Sequence, residues 1–249
     1  MRKFALLLAV SSLLAVIAAC GGSSSNSKTA TPGTPAGASG LKSPAASKSA
    51  TVAATDPAAQ EETAFAKSML LTAADFPAGY IETPAAANEP ENPLNKACGQ
   101  ASEKGKTGKA ASSDFSAAAD APSISEEVIV FGKESDASAG LDAIPALIDC
   151  AVKAINDGKL NNGGVEFSNT ASKKISIDAP GDKSYAFEVT AAGKVTGRGG
   201  GDLSVVFSLV FGRKGRVGYQ ITVSGTAALG AAELSGYAQK AAAKIKQQP

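Results

Sequence analysis

Thirty-nine consecutive residues, Gly21 to Ala59, contain no aromatic side chain and only two large aliphatic ones, Leu41 and Val52. Gly, Ser, Ala, Thr and Pro make up nearly all the rest. Such a stretch cannot bury enough apolar area to offset the entropy of ordering it. Residues 20–59 are therefore read as a disordered tether, with a root-mean-square span of about 35 Å as a coil. A fold is expected only beyond it. The 190 residues from Gln60 to Pro249 suit one domain with one core.

The residues before the tether read as an address. Arg2 and Lys3 precede an apolar run from Phe4 through Ile17, and small residues lead to Cys20. The run is short for a spanning helix, and the layout is that of a secretory signal over 1–19. Ile17-Ala18-Ala19-Cys20 resembles the bacterial lipobox. That resemblance implies diacylglycerol on Cys20 and cleavage before it, and two or more acyl chains give stable membrane attachment. The expected location is the outer face of a bacterial membrane, at the cell surface or in a periplasm.

Composition narrows the chemistry. The chain has no His and three Cys, with 24 basic against 23 acidic side chains. Without His there is no Ser-His-Asp triad and no imidazole base near neutral pH. A zinc site of the usual His/Cys type has too few ligands, so no metal and no cofactor are expected. The near-zero net charge averages a basic start, a basic tether and a domain of net charge −3. Nothing in it marks a nucleic-acid surface.

Hydrophobic periodicity predicts the elements. A short helix is expected over Glu61–Leu71, with Ala64, Phe65, Ser68, Met69 and Leu71 near one face. A turn through Pro77 and Gly79 follows, then a long polar loop over Pro84–Ser113. Ile124–Phe131 reads as a strand. Ala137–Asn156 reads as the strongest helix, with Leu141, Ile144, Ile148, Ala151 and Ile155 at core spacing. Pro145 should kink it or mark its true first turn, and Gly158 should cap it. Val165–Asn169 and Lys173–Ile177 read as an interrupted strand or a hairpin. Ser184–Ala191 alternates, and Leu203–Phe211 and Arg216–Ser224 flank a turn at Gly212–Gly215. A helix over Gly230–Lys246 closes the chain, with Leu234, Tyr237, Ala238, Ala241 and Ile245 inward. Consecutive strands with short turns predict an α+β domain, an antiparallel sheet with helices packed on one face.

With Cys20 lipidated, Cys98 and Cys150 remain. An even pair in an exported chain reads as a disulfide, against the alternatives of a reactive thiol or a thiol–metal site. Gly105-Lys106-Thr107 resembles the end of a phosphate-binding loop, but Gln100 stands where that motif needs Gly and no amphipathic helix follows. Gly197-Arg198-Gly199-Gly200-Gly201 lies between two strands, so it reads as a connection with Arg198 as an anion contact. Glu126 and Glu127 are adjacent on a strand and point to opposite faces, and Asp178 and Asp182 form the other acidic group. The basic turns at Lys104, Lys106 and Lys109 and at Arg213, Lys214 and Arg216 read as soluble loops open to anionic lipid or wall polymer.

One stretch carries a wider resemblance. Leu70-Leu71-Thr72-Ala73-Ala74-Asp75-Phe76-Pro77-Ala78-Gly79-Tyr80, followed by a loop Cys and a helix Cys, resembles the extracellular sensor domain of PknH-like kinases and their lipoprotein relatives over about 71–245. The chain departs from it in lacking a kinase and in having Tyr80 where Trp is common. The resemblance implies an antiparallel sheet backed by helices with a ligand groove, and it carries over no catalytic residue. The expected function is a lipid-anchored, non-catalytic binding or sensor-like domain for a small-molecule or cell-envelope ligand, with Phe76 and Tyr80 beside its site. Two rivals stand. A carrier of lipid predicts an apolar cavity of several hundred Å³ between sheet and helices. A carboxylate-based hydrolase predicts two acidic groups converging in a cleft.

Overall fold

In the computed structural model the described residues are 57–84, 97–98, 104–118, 121–159, 165–178, 180–196 and 200–246. The signal peptide, Cys20, nearly all of the tether and Arg198 lie outside them. Helix α1 spans Pro57–Lys67, and a 3-10 turn at Ala73–Asp75 leads to strands β1 (Ile81–Thr83), β2 (Lys106–Ala111), β3 (Asp114–Ser116) and β4 (Ser123–Phe131). Helices α2 (Glu134–Asp142) and α3 (Ile144–Asn156) come next. Strands β5 (Val165–Lys174), β6 (Lys183–Val195), β7 (Asp202–Lys214) and β8 (Val217–Gly225) precede the last helix, α4 (Ala231–Lys244).

All eight strands form one antiparallel sheet, ordered β1-β3-β4-β8-β7-β6-β5, with β2 also on β4. Strands β2 and β3 share the edge of β4, β3 against its first residues and β2 against its last. The α+β class and the antiparallel sheet are as the sequence predicts, in one domain. The helices, however, divide between the two faces. Val210 of β7 pairs with Ile221 of β8 and lies with α1 and α4. Its neighbours Leu209 and Phe211 point the other way and pack with Leu141, Ile144 and Ile148 of α2 and α3. Successive strand residues alternate faces, and β7 is apolar on both (Val205 to Phe211), so two helical layers are needed to cover it. Burying each Phe or Leu of these two cores contributes roughly 1.5–3 kcal/mol.

Four local differences from the expected elements have physical causes. Helix α1 runs over 57–67 rather than 61–71, so Ala66, Met69, Leu70 and Leu71 are buried while Ala64 and Ser68 face solvent. Pro57 fits there because a first-turn residue has no intrahelical N–H bond to lose. Strand β2 occupies part of the expected 84–113 loop. Its sequence, KTGKAA, carries no hydrophobic signal, and its pairing with β4 makes it a strand. Helix α1 can lie on β2 because residue 108 is Gly: a Cβ there would strike the Glu62 carbonyl. The β7–β8 turn sits at 215–216, not 212–215, since Lys214 pairs with Val217 and Gly215 takes a positive φ of 60°. The long central helix breaks at Ala143, two residues before Pro145, which lies in the first turn of α3. Helix α3 then ends on Gly158 (φ 73°), with Gly158 and Lys159 donating to Ile155 and Ala154 at 2.9 and 3.0 Å, a Schellman cap. Strand β5 is continuous, with an irregularity between Phe167 and Asn169.

Candidate functional site

The expected site residues fall in different places. Phe76 is 7% exposed, stacked on Phe115 (4.4 Å between centroids) and Tyr80 (5.2 Å) and tilted against Tyr237 (5.4 Å). The Tyr80 and Tyr237 hydroxyls are 3.1 Å apart. Both rings therefore pack into the core between β3 and α4, and Tyr80 is half-buried. Cys98 and Cys150 are joined, with Cα atoms 5.8 Å apart. The bridge ties residues 97–98 to α3, and closing a loop of this length stabilises by about 4 kcal/mol on the chain-entropy estimate. Glycine 105 opens β2 and accepts the Gly132 N–H at 2.8 Å, with no helix after it.

The basic turns are largely engaged by the fold. Lys109 pairs with Glu127 at 3.0 Å. Arg213 bonds Glu134 (3.1 Å) and Asp182 (3.0 Å). Arg216 grips the Glu62 carboxylate through both terminal nitrogens. The acidic groups do not converge either: Glu126 faces α1 and α4, whereas Glu127 faces Lys109 on the other side of β4.

Two concavities stand out among the described residues. One lies under α2 against β4, β7 and β8, lined by Phe131, Ala137, Gly140, Leu141, Ile144 and Phe211, with a volume of about 40 Å³. A cavity of about 150 Å³ holds benzene. This one is therefore too small for a lipid chain, and the expected lipid-sized cavity between sheet and helices is not found there.

The other is a groove of about 360 Å³ at the β5–β6 edge, within the size range of ligand sites. It exists because β5 ends at Lys174. Beyond it, Ile175 still donates to Ala186 at 3.0 Å, and Asp178 donates to the Ser235 hydroxyl at 2.9 Å on α4. Between those two anchors the chain stands off β6. Ile175 and Ile177 turn toward the core, and Ser176, Ser184, Lys174 and Tyr185 line the opening. The Lys174 ammonium is 5.0 Å from the Tyr185 ring centroid and that of Lys183 is 5.3 Å away. Lys183 is also bonded to Asp142 at 2.5 Å. That bond, then the Tyr185 hydroxyl, holds its ammonium above the ordinary lysine range. The Tyr185 ring and the Lys174 ammonium can together receive a hydroxylated anion, whereas Lys183 is engaged by Asp142 and Ser184, next to Tyr185 on β6, points to the other face of the sheet. Sequence reasoning identified the alternation that makes Tyr185 a strand residue but not this groove. The cue was the Lys173-Lys174 pair ahead of two isoleucines, and the β6 partner of Lys174, 13 residues away, had to be known to use it.

A polar cluster lies on the α1/α4 face. Glu126 is 2% exposed; its Oε2 accepts the Leu71 N–H at 2.5 Å and its Oε1 has no hydrogen-bond partner among the described residues. Burial pushes its carboxyl up to about 7, with the Leu71 N–H and Lys244 opposing and Asp75 adding to the rise. Lys244 donates to Leu70 O at 2.9 Å and to the Asp75 carboxylate. Burial raises the Asp75 carboxyl, but the Lys244 and Thr72 hydrogen bonds outweigh it and leave it below the ordinary value. Burial also pushes the Tyr219 phenol up to about 12. No group of three or more metal-ligating side chains occurs among the described residues, and none of their helices is long and apolar enough to cross a membrane.

No protein-family model matches the chain, and no curated protein matches it. Among solved structures it is similar to the extracellular domain of PknH from Mycobacterium tuberculosis. The similarity covers 73% of this chain and 95% of that one, at 11% identity and a TM-score of 0.40. This is a distant structural resemblance.

Proposed function

We propose that this chain is a lipid-anchored extracytoplasmic binding domain without catalytic chemistry, and that the Tyr185 groove takes an anionic, hydroxyl-rich ligand of the cell envelope such as a phosphorylated sugar. The observation that carries the binding reading is the groove itself, where Tyr185 and Lys174 stand together at an opening of about 360 Å³ that Ser176 also lines. The Lys174 ammonium supplies charge for a phosphate or carboxylate, the ring supplies a face for sugar C–H groups, and the Ser176 hydroxyl can donate or accept. The closed Cys98–Cys150 bridge supports an oxidising compartment. The signal-like start and the lipobox ending at Cys20 supply the address and the anchor. The absence of His, and the placement of Glu126 and Glu127 on opposite sides of β4, favour binding over catalysis.

The test is an amide-shift titration with glucose 6-phosphate, glucose and inorganic phosphate. The expected result is saturable shifts at Lys174, Ser176, Ser184 and Tyr185 with the sugar phosphate, weaker ones with either half alone, and loss in Tyr185→Ala. Shifts elsewhere, or none, would overturn the ligand reading. Separately, radiolabelled palmitate should enter the wild-type chain in a bacterial host and not Cys20→Ala.

A further inference from the structure

We infer that Glu126 is a proton-operated latch on the Leu70–Asp75 turn: the turn stays closed while the buried carboxyl is protonated and loosens, with helix α1, when it ionises. The turn connects α1 to the rest of the domain and is held from two sides. From outside, α4 grips it through Lys244, which bonds Leu70 O and the Asp75 carboxylate, and through Lys240, which donates to Asp75 O at 2.5 Å. The Asp75 carboxylate in turn accepts the Thr72 N–H (2.7 Å) and hydroxyl (2.9 Å). From inside, the one hydrogen bond given to the Glu126 carboxyl is from the Leu71 N–H.

The charges around Glu126 do not balance its own. Lys244 of α4 approaches it, but that ammonium already serves Asp75. Asp75 of the turn adds negative charge. Tyr219 of β8 is neutral over the physiological range because burial raises its phenol. An ionised Glu126 is therefore a second carboxylate set against one ammonium, with Oε1 lacking a donor. A buried charge held by one hydrogen bond and a shared ammonium is costly. Lifting the turn would admit water to Oε1 and relieve that cost at the expense of one hydrogen bond, so ionisation favours opening. The raised carboxyl places the change between about pH 4.5 and 7. Opening gains as the proton is lost and levels off above that window.

The experiment is hydrogen exchange of the 70–75 amides in the full chain from pH 5 to pH 8, corrected for intrinsic exchange. It is read beside Phe207 and Leu209 of the central strand and beside a carbon-13 titration of the Glu126 carboxyl. The wild type should show the opening equilibrium of the turn rising about tenfold or more and flattening above pH 7. The central strand, which opens only on global unfolding, should stay far more protected than the turn at every pH, and the carboxyl should titrate over the same window. In Glu126→Gln, which mimics the protonated carboxyl in size, the turn should stay closed throughout. A flat profile in the wild type, an unchanged profile in the variant, equal opening of the central strand, or an ordinary carboxylate titration would each overturn the latch.

Discussion

Leu71 donates its backbone N–H to Glu126 at 2.5 Å across 55 residues of sequence, and this bond places a carboxyl in the apolar layer between β4 and the α1–α4 pair. A group whose folded value is raised, here from 4.5 to about 7, stabilises most when protonated. Its contribution is fully present below pH 4.5 and is lost as pH rises to 7. The loss should approach about 3 kcal/mol, from about 1.4 kcal/mol per unit. Urea unfolding should therefore show lower stability at pH 8 than at pH 5, and Glu126→Gln should remove most of that difference.

Reduction should be as costly as loss of a large core side chain. The Cys98–Cys150 bond spans 52 residues, and replacing both cysteines by Ala should destabilise by about 4 kcal/mol if chain entropy dominates. Unfolding of the double variant against wild type measures it, and no change on reduction would contradict the entropic account.

Gly108→Ala should separate helix α1 from β2. A Cβ at 108 meets backbone atoms of Glu62, which cannot rotate away as a side-chain tip would. Overpacking of this kind costs about 1–3 kcal/mol. The change should appear as a lower melting temperature and as faster exchange in α1. Exchange at α3, on the opposite face, should be unaffected.

Tyr80→Phe tests the aromatic cluster. The variant keeps the stacking with Phe76 and removes the 3.1 Å partner of the Tyr237 hydroxyl. A loss of about 1 kcal/mol is expected, as for a partly buried neutral hydrogen bond. Burial, then the Tyr80 hydroxyl, raises the Tyr237 phenol, so its alkaline titration should shift downward in the variant.

Much of the domain was legible in the chain. The core positions of α2, α3 and α4 repeat at helical spacing, and all ten expected residues, from Leu141 to Ile155 and from Leu234 to Ile245, are buried. Gly158 as a cap and the opposed directions of Glu126 and Glu127 also followed from local geometry. Strand β2 was not legible, because KTGKAA gains its strand conformation from β4 and its burial from α1. The two-sided covering of the sheet could be read only once β7 was placed centrally, where Val205, Phe207 and Leu209 face one layer and Val210 the other.

Composition limits where folding is possible, since a segment with almost no large apolar side chains cannot offset its ordering entropy. Periodicity, a local property, determined the elements with a strong apolar pattern but not β1, β2 or β3, and composition determined which nucleophiles and bases are absent. Only the tertiary structure decided what single residues do. Glu126 became a buried carboxyl because β4 is covered by Leu71 and approached by Lys244, and Tyr185 came to line a groove because the chain after Lys174 leaves β6 there. Both depend on partners far away in sequence, and their distances and burial, not the local pattern, set the chemistry.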